Sequence, residues 1–197
     1  MKSTKAITLD CGILRIELQR IQDRWQHVIG VVRDSNFSAL ATSIEGASDD
    51  HWPASPALQE LHVEQRGDET AAMLMGMAGT SHWSVSILGQ PLMNRAVVDV
   101  ACRCRETPAW LGSLYQTPEW LTVVHGEDVV ELQIPHDTVR VISRSPDLTG
   151  SIPQLSSDCD AAWAAAFLDR VKEFGRSFFF RTAVFHRRPS SNYPMVV

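Results

Sequence analysis

Between residues 58 and 105 apolar and polar side chains alternate with a period of two, and this alternation restricts the fold more than any other feature of the chain. In a strand, successive side chains point to opposite faces, so a period of two marks a sheet with unlike faces. Within Ser81–Leu88, the stretch His82-Trp83-Ser84-Val85-Ser86-Ile87 shows it without interruption. Turn-forming residues divide the region at Arg66-Gly67-Asp68-Glu69, Gly79-Thr80 and Gly89-Gln90-Pro91. Glycine at the first position of a two-residue hairpin turn supplies the positive φ that such turns require. The pattern predicts a four-stranded antiparallel meander with strands at 58–65, 70–78, 81–88 and 95–105.

More short strands are expected at 37–44, 110–116, 120–125, 128–134 and 138–144, with a final strand at about 177–186. Residues 13–33 fit a helix stripe (Leu14, Leu18, Ile21, Trp25, Val28, Val32) and also a hairpin turning at Gln22-Asp23. The density of isoleucine and valine, together with Gly30, favours the hairpin, with Leu14, Ile16 and Leu18 facing Val31, Ile29 and His27. One helix is predicted at about 158–174. Ser157 or Asp158 can cap it, Trp163, Phe167, Val171 and Phe174 form its apolar stripe, and Gly175 ends it. The expected fold class is mainly β with one C-terminal α-helix (α+β): an antiparallel β-sandwich or incomplete β-barrel with the helix packed on the sheet. With no linker or repeat in its 197 residues, the chain reads as a single domain, 1–197, with a tail at 187–197.

Register follows from the turns, because a slip of one residue would send every side chain to the wrong face. A turn at Gly79-Thr80 pairs Met77 with His82, Met75 with Ser84, Met73 with Ser86, and Gly76 with Trp83. The turn at 66–69 sets Glu60 beside Met75 and His62 beside Met73. Joining Leu88 to Arg95 would set Ser84 opposite Asp99 and His82 opposite Ala101. One face then holds Leu61, Val63, Ala72, Leu74, Gly76, Trp83, Val85, Ile87, Val98, Val100, Cys102 and Cys104, and reads as core. The other carries Glu60, His62, Met73, Met75, Met77, His82, Ser84, Ser86, Val97, Asp99 and Arg103. Methionines among acids and histidines suit a surface under the helix or a partner, a solvated face, or the lining of a ligand cavity, since methionine adapts to irregular shapes.

Charge narrows the partners. The net charge of −5 argues against binding nucleic acid through its phosphates. It is unevenly spread: residues 161–197 hold six basic and two acidic residues, about +4, leaving about −9 for the rest. Asp10 interrupts the N-terminal stretch before a signal core could form, and no apolar run is long enough to span a membrane. A cytoplasmic setting with reduced thiols at Cys11, Cys102, Cys104 and Cys159 follows as the expectation. Cys102 and Cys104 are two apart on one strand, a poor geometry for a disulfide and too tight for a zinc pair.

The chain lacks H-E-x-x-H, a phosphate-binding P-loop and G-x-G-x-x-G, so no cofactor, metal or catalytic residue is assigned. The candidate ligand-binding residues are Glu60, His62, Met73, Met75, His82, Ser84, Asp99 and Arg103 on the methionine face. His51 and Trp52 join them from the loop Asp49–Pro56. The expected function is a non-catalytic binding or interaction module for a small amphipathic ligand or a protein partner, with a homo-oligomer left open. A small hydrolase or isomerase using His82, Asp99 and Glu60 is one alternative, and an accessory subunit docking through the basic C-terminal segment is another.

Overall fold

A computed structural model describes residues 6–103, 112–125, 129–135, 137–142, 154–159, 162–166 and 177–189. The first four strands are β1 (Ile7–Cys11), β2 (Leu14–Ile21), β3 (Arg24–Arg33) and β4 (Asn36–Ser43). The meander follows as β5 (Glu60–Arg66), β6 (Glu69–Ala78), β7 (Ser81–Gln90) and β8 (Arg95–Arg103). Then come β9 (Gly112–Gln116), β10 (Thr122–His125), β11 (Val129–Ile134), β12 (Asp137–Ile142), β13 (Gln154–Cys159), β14 (Ala162–Ala166) and β15 (Ser177–Pro189). They form two antiparallel sheets, in the orders β1-β2-β3-β4-β9-β14-β13 and β10-β11-β12-β15-β8-β7-β6-β5. β2 pairs only with β1 and β3, and β15 only with β12 and β8, so the described strands close no barrel.

One cluster of buried apolar residues draws on both sheets. The first contributes Leu9, Leu14, Ile16, Leu18, Ile29 and Leu40; the second contributes Leu74, Trp83, Val85, Ile87, Leu132 and Val139. Each fully buried aliphatic side chain is worth about 1.5–3 kcal/mol, which is what alternation on these strands secures. The N-terminal segment is the hairpin, with Leu14 opposite Val31, Ile16 opposite Ile29 and Leu18 opposite His27. Gln22 takes positive φ in its turn.

β5 to β8 lie side by side, and the turns at 66–69 and 79–80 give the registers expected from them. Between β7 and β8 the pairing differs by two residues: His82 faces Arg103, Ser84 faces Ala101 and Ser86 faces Asp99. β7 continues through Gly89 and Gln90, and the 3₁₀ turn Pro91–Met93 with left-handed Asn94 makes the reversal. A shift of two keeps every residue on its expected face. Strand β5 departs from the core assignment, because Val63 is 37% exposed and Leu61 only half-buried. It is the last strand in the sheet order.

The C-terminal helix predicted at 158–174 is not shown. Residues 154–159 and 162–166 are strands instead, and 167–176 lie outside the described residues, as does Cys104. Ala162–Ala166 pairs with Gly112–Gln116, so sheet-edge hydrogen bonding overrides the helical propensity of an alanine-rich run. The expected tail begins later than 187, since β15 runs to Pro189. No helix among the described residues is long and apolar enough to cross a membrane.

Candidate functional site

The methionine face of the meander is open among the described residues. Met73, Met75 and Met77 are 37%, 56% and 49% exposed, while Leu74 between them is buried. A groove of about 580 Å³ runs over one end of this face. Its apolar part comes from Met75, Met77, Trp83 and Ala101, and its polar part from Glu60, His82, Ser84 and Arg103. Gln59 completes the wall. Its backbone N–H donates to the Met75 carbonyl at 2.8 Å. Its side-chain amide donates to the Met77 carbonyl at 2.9 Å and accepts from the Met77 N–H at 2.6 Å. The side chain therefore continues the ladder where β5 has not yet begun. Gly76 permits this approach, because a Cβ there would fall 1.9 Å from the Ala57 carbonyl oxygen.

Of the residues singled out from sequence, Glu60, Met75, His82, Ser84 and Arg103 meet at the groove. His62 and Met73 face each other on the same sheet surface outside the groove, and Asp99 lies opposite Ser86. Trp52 is partly buried against the core, and the His51 ring packs over the Gly79 turn. Neither residue lines the groove. His82 and Arg103 are cross-strand neighbours, so two nitrogen-bearing side chains stand together at one end. Glu60 lies on β5, two strand spacings or roughly 10 Å from β7, which keeps it apart from them.

A second constellation is not visible in the sequence pattern. His27, Ser43 and Tyr115 lie in one row across β3, β4 and β9. His27 Nε2 is 2.6 Å from the Tyr115 hydroxyl, and the rings meet edge to face at 5.1 Å. The His27 N–H donates to Ser43 Oγ at 3.0 Å, and Ser43 Oγ donates to Glu45. Arg24, 2% exposed, donates to the carbonyls of Glu45 and Ala47, both at 2.7 Å. Arg24 Nε and Glu45 Oε2 are buried with no hydrogen-bond partner among the described residues.

Burial sets the titration of this cluster. It pushes the Glu45 carboxyl up to about 7, against the opposing pull of the Ser43 hydrogen bond and the Arg24 charge. It holds His27 down at about 4, and it raises the Tyr115 hydroxyl above its ordinary range. The one hint in the sequence is the hairpin register, which sets His27 opposite the core residue Leu18. Ser43, and Glu45 beyond it, reach it through the pairing of β3 with β4, and Tyr115 through the pairing of β4 with β9.

Among the described residues no group of three or more His, Cys, Asp or Glu is placed to hold a metal ion. Cys11 and Cys102 are both buried, and burial pushes the Cys11 thiol up to about 12. No family profile, curated protein or solved structure matches the chain.

Proposed function

We propose that the protein is a binding module whose groove takes an amphipathic anion, the apolar body lying on Met75 and Met77 and the anionic head meeting Arg103 and His82. The observation that carries this reading is the groove itself, which joins exposed methionines to a cationic corner. Methionine accommodates varied apolar shapes, and a guanidinium recognises a carboxylate or sulfonate through charge-assisted hydrogen bonds. We take the two sheets as a β-sandwich of a single domain, working in a reducing cytoplasm that suits the buried thiols Cys11 and Cys102. The hydrolase or isomerase alternative has less support, because its acids are separated from His82: Glu60 by two strand spacings and Asp99 by its place opposite Ser86.

The test is fluorescence titration with anilinonaphthalene sulfonate, followed by displacement with dodecanoate. Saturable binding is expected. Arg103→Gln should weaken it about tenfold, the worth of one charge-assisted hydrogen bond, and Met75→Glu should weaken it at least as much. Absence of saturable binding, or equal affinity in both variants and the wild type, overturns the proposal.

A further inference from the structure

We propose that the outer edge of β5 pairs antiparallel with β5 of a second copy of this chain, in a register centred on Val63. β5 ends the sheet order, and no described residue pairs with its outer side. Six of its seven residues are exposed, and only Leu61 is half-buried against the core. An edge of this kind offers unpaired backbone N–H and C=O groups to another strand.

The side chains say which strand. Residues Glu60, His62, Glu64 and Arg66 share one face of β5. Pairing two copies about Val63 sets Glu60 of each copy opposite Arg66 of the other, and His62 opposite Glu64. The imidazole can donate to the carboxylate in either charge state. On the other face Val63 meets Val63, and Leu61 meets Gln65. Moving the centre to His62 would set Glu60 against Glu64, and moving it to Glu64 would set that residue against itself. Like charges directly opposite are unfavourable and opposite charges favourable, so one register is selected among its neighbours. Arg66 already leans on Glu64, its Nη2 2.9 Å from Oε2, which holds the guanidinium on the pairing face. Mixed charges on an edge usually discourage association. Here their order along the strand is self-complementary, as a two-fold interface requires.

The experiment is sedimentation and light scattering on the full chain over a range of concentrations. A concentration-dependent dimer is expected. Glu60→Arg and Arg66→Glu each place like charges opposite each other twice and should raise the dissociation constant about tenfold. The double variant exchanges the charges and should restore the wild-type value. Arg66 lies outside the groove, so its effect is separate from ligand binding. Should a variant fold poorly, hydrogen exchange on the wild type gives an independent reading, since β5 amides should exchange more slowly at high protein concentration. A monomer at every concentration, single swaps without effect, a double variant that fails to recover, or β5 exchange independent of concentration overturns the proposal.

Discussion

Replacing Glu45 by glutamine should remove a loss of stability that sets in as pH rises from 4.5 to about 7. The glutamine keeps the shape and the oxygen that accepts from Ser43, and it removes the ionisation. In the folded chain the carboxyl is desolvated and titrates at about 7, against 4.5 for an ordinary glutamate. Below pH 4.5 both folded and unfolded chains hold the proton and the group is neutral to stability. Between 4.5 and 7 the unfolded chain gives the proton up while the folded chain retains it, so stability falls as pH rises. Above 7 the loss is complete. Carried from 4.5 to about 7, the displacement is worth at most about 3 kcal/mol. Urea unfolding followed by tryptophan fluorescence at pH 4.5, 5.5, 6.5, 7.5 and 8.5 reads this directly. The Glu45→Gln variant should gain on the wild type steadily up to pH 7 and hold a constant advantage beyond it. Parallel profiles would show that the carboxyl is solvated in the folded protein and would refute the reasoning.

Two further outcomes follow from the same packing. His27→Gln should remove an acid limb: the histidine titrates at about 4 when folded and near 6.5 when unfolded, so its contribution is present above pH 6.5 and fades as pH falls toward 4. A pH series of denaturation midpoints checks this, and a variant that loses stability in acid as the wild type does would contradict it. Gly76→Ala should cost about 1–3 kcal/mol in unfolding free energy, because its Cβ would fall 1.9 Å from the Ala57 carbonyl and 2.2 Å from Gln59 Oε1. A change below about 0.5 kcal/mol would mean that the 57–59 segment does not lie against the sheet.

The groove and the β5 edge occupy neighbouring parts of the same sheet, yet they depend on different residues. Met75, His82 and Arg103 serve the groove, while His62, Glu64 and Arg66 serve the edge. Only Glu60 belongs to both. Ligand affinity that changes with dimerisation would therefore be read most directly at Glu60, whereas Arg66→Glu reports on association alone.

Much of the local architecture is legible in the amino-acid sequence. Alternation and short turns set the hairpins of β2–β3, β5–β6 and β6–β7 to the residue, because a short turn leaves one register and burial of one face forbids its neighbours. The β7–β8 pairing differs from expectation by two residues, since a longer reversal through Pro91–Met93 lets the strands extend by amounts that alternation does not distinguish. The run around Trp163 reads as a helix stripe from its local pattern; the strand formed by Ala162–Ala166 depends instead on the edge of β9, which lies some fifty residues earlier in the chain. The same limit hides the His27, Ser43, Glu45 and Tyr115 cluster. The pairing of β3 with β4 joins the first three, and Tyr115 completes the cluster because β9 pairs with β4 while β15 takes the place beside β8. Sequence alone determined which residues alternate, where the chain reverses and which local strands pair, all consequences of backbone geometry over a few residues. The tertiary structure decided which distant strands share an edge, and so which titratable groups are deprived of water, because that choice depends on the burial of whole faces rather than on any local signal.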